Sequence, residues 1–593
     1  MTRAIITKLL FFLTLCSCRP QEIPTSEEFN KEARNYFLES YKTFDLSPLD
    51  DFEKCVLRKV IENGLDDVSH AEVEASRRVH ADHHQVDPVR RRLLQAWHDQ
   101  AGPARRGPAN KTPPSHVAID SLYTTITLQL CWRRSKSSPT RITTAYLRVP
   151  TAPERARNRD SHYPYRFDSY FYYLSGFTEP EAALVVVGGD APRTVLFCRE
   201  RSEEREIWDG FRHGPEAARE RFGLDEAHPI SALDETMSRL LENQPALHYP
   251  VGADPEWDAR AMRWLNAVRA RSRAGVAAPD RVQDVRAALD DMRLRKDAHE
   301  TALMRRAGAI AAAAHRRAMQ ATRPGRAEYE IEAELLYEFR RNGAQFPAYS
   351  PIVAGGPNAC VLHYVFNDAP LREGDLLLID AGCELDGYAS DITRTFPVNG
   401  RFSGAQREVY ELVLAAQRAA MDAVRPGRAW NEPHDAAVRV LAQGMLDLRL
   451  LSGTLDEALE KERYKRFYMH RTGHWLGLDV HDAGEYKREG KWRALEPGMV
   501  LTVEPGIYVR PGEDVPAAFW NIGIRIEDDV LVTDAGAEVL AATAPTDPVE
   551  IEALRTREWD RNEVKDLGGL PPFQLGSLPG RREFGRRGGS GSA

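Results

Sequence analysis

Ten residues of this chain occur twice. Ala318-Met319-Gln320-Ala321-Thr322-Arg323-Pro324-Gly325-Arg326-Ala327 returns as Ala420-Met421-Asp422-Ala423-Val424-Arg425-Pro426-Gly427-Arg428-Ala429, changed only at the third and fifth positions. Both copies sit between two helical patterns, and Arg-Pro-Gly is a helix stop. A strand-like run follows each pair. Two such halves predict one domain with internal pseudo-twofold symmetry, each half offering a face to a shared central space. In the first half, Asp297 with Glu300 fits a capping box that opens a long helix. A second helix, about Glu328 to Asn342, stops at Gly343.

The first half contains the stretch Gly374 to Val398. Four apolar residues, Leu376 to Ile379, lead into Asp380, and a second strand-like run, Tyr388 to Phe396, carries Asp391. Asp386-Gly387 between them signals a two-residue hairpin turn. With that turn, Leu385 pairs with Tyr388, Asp380 faces Thr393 and Asp391 faces Gly382. The two carboxylates then lie diagonally on one face, roughly 7–8 Å apart or less. Acids that close repel unless a cation sits between them. The bland alternative, two solvated acids on an exposed face, fits poorly with such an apolar lead-in.

The second half carries more polar groups on apolar strands. In Ile522-Gly523-Ile524-Arg525-Ile526-Glu527-Asp528, alternation puts the isoleucines on the core face and Gly523, Arg525 and Glu527 on the other. In Val500-Leu501-Thr502-Val503-Glu504, Thr502 and Glu504 share the face opposite Leu501 and Val503. His470, His474 and His481 fall within twelve positions, among glycines and beside Trp475. The spacing of His470 and His474 invites comparison with a zinc-protease HExxH helix, but Arg471 replaces the Glu and Gly473 disfavours a helix. Asp380, Asp391, His474, Glu504 and Glu527 together form a hard, oxygen-rich donor set. That set suits two divalent ions, Mn²⁺ first, with Co²⁺, Fe²⁺ and Zn²⁺ tolerated. A dinuclear centre with ions about 3.5–4 Å apart would use bridging carboxylates and hold a bridging hydroxide.

Asp380, Asp391-Ile392-Thr393-Arg394, HRTGHWLG, TVEPG and IRIEDD resemble the metal-site motifs of the pita-bread (creatinase/aminopeptidase-like) metallopeptidases. Within these the chain is most similar to the aminopeptidase P group, the Xaa-Pro aminopeptidases, from about 155 to 554. The resemblance implies an α+β fold: a pita-bread catalytic domain with a pseudo-twofold repeat, preceded by a smaller α/β domain. It implies that Asp380, Asp391, His474, Glu504 and Glu527 bind the metals, with Glu504 also shuttling a proton. It implies that His363 and His481 contact the substrate and steady the tetrahedral intermediate. His470 and Arg525 resemble groups that support the ligands, and Trp208 resembles a residue offered to a neighbouring subunit's cleft. The implied reaction is release of the first residue from peptides with proline in second position. The rivals are an Xaa-Pro dipeptidase with the same dinuclear site and a non-catalytic peptide-binding protein on this scaffold.

At 593 residues the chain exceeds one ordinary core. Residues 146–290 read as the smaller domain, with strands at Ala182–Val187 and Thr194–Cys198 and helices at Glu216–Phe222 and Leu233–Leu241. Its aromatic cluster, Tyr163-Pro164-Tyr165-Arg166 with Phe171-Tyr172-Tyr173, reads as core, or more sharply as a substrate or subunit contact. The catalytic domain is assigned to 291–554, and 555–593 to a disordered tail. Residues 1–145 differ in composition from the rest and read as an unassigned extension, fused or misjoined. The family's opening helix and strand are poorly supplied by 120–150, and Thr143–Val149 stands in for the strand. A net charge of -8 excludes a nucleic-acid partner. Seven scattered cysteines without a CxxC pair read as thiols, Cys198, Cys360 and Cys383 among them buried. Cysteine usage and resemblance place the protein in the cytoplasm, as a homo-oligomer (dimer or tetramer by resemblance). Secretion follows instead if the apolar run Ile5 to Cys18 works as a signal.

Overall fold

Residues 146–188 and 192–556 are described by a computed structural model of the chain. The extension before 146, with its apolar start, and the tail beyond 556 lie outside the described residues.

The repeated decapeptide forms equivalent corners of two halves. The helix Ala298–Ala321 runs into the first corner and Glu328–Arg341 leaves it; Gly404–Ala423 and Glu432–Asp447 flank the second. Asp297 and Glu300 make the capping box that starts the first helix. Each corner is tied down in the same way. Gly325 donates to the Leu371 carbonyl and Leu371 donates back to Arg326; Gly427 and Leu495 repeat the exchange with Arg428. The backbone freed where each helix ends is thereby satisfied by an incoming strand-like segment.

The first half's sheet joins Ile352–Gly355, Leu376–Asp380 and Thr393–Pro397, all antiparallel. The second half supplies Val500–Val503, Asp528–Thr533 and Gly536–Val539, together with the pair Gly506–Val509 and Ile522–Arg525. The halves meet at a bridge between Thr393 and Glu527, where Glu527 donates to the Thr393 carbonyl at 3.0 Å. One core fills the space behind: Leu377, Ile379 and Phe396 from one half, Leu501, Val503, Ile522, Ile524 and Ile526 from the other. The hairpin has the expected register, with Leu385 opposite Tyr388 and Asp380 opposite Thr393. Asp386 and Gly387 both take positive φ, 49° and 83°, the conformation a two-residue turn of matching twist needs.

The smaller unit is a six-stranded mixed sheet in the order Glu226–Pro229, Arg193–Cys198, Ala183–Val187, Tyr146–Pro150, Ala246–Tyr249, Arg281–Asp284. The substitute first strand is realised as Tyr146–Pro150, antiparallel to Ala183–Val187 and parallel to Ala246–Tyr249. Alternation divides its residues. Val185 and Phe197 pack with Met237, Trp264 and Leu265, whereas Leu184 and Leu196 join Phe171 and Phe177. This second cluster also contains Tyr388, Leu476 and Leu478, so one buried layer runs from the sheet into the catalytic half. Phe171 and Tyr173 of the aromatic cluster are core, while Tyr163 is exposed. Cys198, Cys360 and Cys383 are buried free thiols. The helix Arg286–Leu294 spans the break placed at 290/291, and the helix Pro548–Thr556 runs past 554. The connection is a helix, whose periodic burial composition alone does not reveal.

Candidate metal centre and active site

Each acid stands at the end of a strand whose apolar residues are anchored in the core. Asp380 closes Leu376–Asp380, Asp391 precedes Thr393–Pro397, Glu504 follows Val500–Val503, and Glu527 lies between Ile522–Arg525 and Asp528–Thr533. His474 lies in an irregular segment held to the Val500–Val503 edge, its carbonyl accepting from Thr502 at 3.0 Å. Gly473 permits that approach, since a Cβ there would come within 2.1 Å of the Thr502 carbonyl oxygen. The segment is therefore extended beside a strand, and His470 and His474 do not share a helix.

The five side chains converge. Ligand atoms of Asp391, His474 and Glu527 lie within 4.8 Å of one another. His474 Nε2 is 3.4 Å from Asp391 Oδ2 and 3.9 Å from Glu504 Oε1. The Tyr349 hydroxyl is in hydrogen-bond contact with both Asp380 and Asp391. Thr393 Oγ1 donates to Glu527 Oε2 at 2.6 Å. His474 Nδ1 donates to the Trp475 carbonyl at 2.9 Å, which leaves Nε2 as the nitrogen turned to the acids.

Charge is unbalanced in this space. Burial raises the Asp391 carboxyl, and the charge of Asp380 adds to it against the pull of His474. Burial pushes Glu504 up to about 7. Glu527 goes well above the usual carboxylate range, through burial and then the charges of Asp391, Glu504 and Asp380. For His474, burial alone would lower the imidazole, but its contacts with Asp391 outweigh it and lift it to about 9. Four carboxylates and one imidazole meet here, with Asp391, Glu504 and Glu527 held above the ordinary carboxylate range, and such a set fits divalent cations.

Around it lies a supporting layer. Arg525 donates to Asp380 Oδ2 at 2.6 Å, to Thr393 Oγ1 at 3.0 Å and to the Tyr508 hydroxyl at 2.8 Å. His470 Nε2 meets the same hydroxyl at 2.9 Å, and burial with the Arg525 charge lowers His470 to about 3, so it is neutral. Asp529 accepts the Asp391 backbone N–H.

In front lies a cavity of about 770 Å³ lined by His363, His481, His474, Asp380, Asp391 and Tyr349, among others. The His481 ring lies 4.2 Å from that of His474. Glu504, Glu527, His470 and Arg525 stand behind the lining. Trp208 is apart from this group, on the helix Glu203–Asp209, and is 80% exposed. Sequence reasoning missed Tyr349, Tyr508 and Asp529. Tyr349 lies in the bend between the short strands Phe346–Pro347 and Ile352–Gly355 and carries no periodic signal. Asp529 could have been found, because alternation places it on the same side as Glu527.

Residues 302–534 match metallopeptidase family M24, and residues 133–248 match the N-terminal domain of aminopeptidase P. An Xaa-Pro aminopeptidase of Haemophilus influenzae is 46% identical over 402 residues, which are 68% of this chain and 91% of that protein. The structure of Pseudomonas aeruginosa aminopeptidase PepP superposes with a TM-score of 0.71 at 50% identity, covering 73% of this chain and 98% of that one. Zn-substituted aminopeptidase P of E. coli, in complex with product, gives a TM-score of 0.71 at 42% identity, covering 74% and 99%.

Proposed function

We propose a mechanism from the premise that this chain belongs to metallopeptidase family M24 and is one of its Xaa-Pro aminopeptidases. The enzyme is a hydrolase that releases the first residue of a peptide whose second residue is proline. The observation that carries the mechanism is the meeting of Asp380, Asp391, His474, Glu504 and Glu527, from both halves, in one buried anionic space. These five residues would hold two divalent ions; the oxygen-rich set suits Mn²⁺ and tolerates Co²⁺, Fe²⁺ or Zn²⁺. When bound, the ions supply Lewis-acid polarisation of the scissile carbonyl and make water a better nucleophile near neutral pH.

The chain's own groups do the rest. Glu504 acts as the proton shuttle: it takes up the proton that the attacking water gives up, and passes it to the departing proline nitrogen. His363 and His481, on the cavity wall, donate to the carbonyl oxygen as it gains charge. Arg525 and Tyr349 hold Asp380 in place, and His470 orients the Tyr508 hydroxyl against Arg525. A proline nitrogen brings no N–H, so the cleft needs no acceptor at that point.

The test is an assay of metal-stripped protein, titrated with Mn²⁺, on Gly-Pro-Ala, Gly-Ala-Ala and the dipeptide Gly-Pro. Release of glycine from Gly-Pro-Ala alone is expected, lost on chelation and restored by metal. Cleavage of the dipeptide alone would make the enzyme a dipeptidase. Metal uptake without hydrolysis would leave only a binding role.

The same reading extends to the setting of the enzyme: a cytoplasmic homo-oligomer. Among the described residues no helix is long and apolar enough to cross a membrane. Ile207 and Trp208, 81% and 80% exposed, offer an apolar contact to a neighbouring subunit. Native mass of wild type and Trp208→Glu checks the assembly, and a monomeric wild type would refute it.

A further inference from the structure

The mechanism leaves out one residue of the aromatic turn in the smaller domain. Arg166 is where three segments meet, and all its N–H groups find acceptors. Nη1 donates to the Phe167 carbonyl and to Ser169 Oγ, each at 2.7 Å, within its own domain. Nε donates to Glu384 Oε2 at 3.2 Å, and Nη2 reaches the Gly387 carbonyl at 3.3 Å, both on the hairpin that carries Asp380 and Asp391. Nη2 also donates to the Leu478 carbonyl at 2.7 Å, in the second half.

Leu478 opens the short segment that carries His481. Asp479 accepts from Ser169 Oγ at 2.6 Å and from Arg293 at 2.8 Å. Asp482 accepts from Arg293, and from Lys296 Nζ at 2.9 Å. Arg293, Lys296 and Asp482 are buried. His481 is exposed to the cavity, yet residues on both sides of it are held by groups remote in the chain, Arg166 and Ser169 on one side and Arg293 and Lys296 on the other.

We propose that Arg166 is a positioning residue for the reaction: it clamps the 478–482 segment against the metal-bearing hairpin and so sets where His481 stands. The inference rests on His481 acting on the substrate as described above. A lysine cannot replace this arginine, because three donors on one point charge do not span three segments as a planar fork does.

The test is a double-mutant cycle on metal-replete enzyme with a Gly-Pro-Ala substrate. Arg166→Lys should lower kcat by ~10- to 100-fold, the scale of displacing a catalytic group by about 1 Å. KM should stay within about threefold, and metal content should match wild type. On a His481→Ala background the same substitution should cost less than about threefold, because the group it positions is gone. Equal losses in both backgrounds would overturn the inference, as would a raised KM with unchanged kcat, which marks direct substrate contact. If Arg166→Lys does not fold, Ser169→Ala runs the same cycle through Asp479 alone. Near-normal turnover by His481→Ala would instead remove the role given to that histidine, a failure separable from the coupling.

Discussion

Arg394 offers the sharpest test of how the two halves are joined. Its side chain is fully buried and donates to the carbonyls of Pro545 at 3.1 Å, Thr393 at 3.0 Å, Glu527 at 2.6 Å and Ala544 at 2.9 Å. It also donates to Asp528 Oδ1 at 2.7 Å. Arg394→Met keeps an unbranched apolar stem and removes every donor. Asp528 would keep one partner, Gln417, at 2.9 Å. Burial already raises the Asp528 carboxyl above its ordinary range with Arg394 beside it, so its charge is costly once the arginine is gone. Breaking a buried pair from one side costs about 3–5 kcal/mol. Urea unfolding followed by tryptophan fluorescence should show that loss. Adding Asp528→Asn should return on the order of 2 kcal/mol, because no uncompensated charge remains. Glu527 would lose the anchor on its carbonyl, so activity should fall by ~10- to 100-fold even where the protein is folded. A single variant within about 1 kcal/mol of wild type, well below the range for a broken buried pair, would refute this account. So would a double variant that regains nothing.

Asp391→Asn should lower activity by more than ~100-fold and reduce bound metal, with an unchanged circular-dichroism spectrum; a folded, metal-replete and active variant would contradict the ligand assignment. Gly473→Ala should cost ~1–3 kcal/mol and displace His474, since the added Cβ would meet the Thr502 carbonyl; urea midpoints and metal content check this. Glu300, pushed up to about 7 by burial and then by the charge of Asp297, carries its charge at a cost to the folded state. An acid whose folded pKa lies above its unfolded value adds stability as pH falls through the folded value. Unfolding midpoints should therefore rise from pH 8 toward pH 6, and Glu300→Gln should flatten that rise.

Much of the site was legible because its parts are local. A turn dipeptide and a two-residue period place Asp380 opposite Thr393, and the same period separates Arg525 and Glu527 from the isoleucine face. The duplicated corners announce two halves, and the backbone ties at Gly325 and Gly427 repeat as two copies of one sequence should. The supporting residues were not legible. Tyr349 touches Asp380 and Asp391 from 31 and 42 positions away, and Arg166 reaches Leu478 across 312. Asp482 stood beside a cleft histidine in the chain, yet it turns from the cavity to Arg293 and Lys296.

By itself, then, the sequence determined where helices stop, how the hairpin pairs, and which donors lie on polar faces, because these follow from neighbours a few residues apart. Which of those faces look at one another, and which charged groups end as partners of each other rather than of a metal, was decided only when the core closed. Distances between remote residues are set by how two halves and a third unit pack, and no local period encodes that packing.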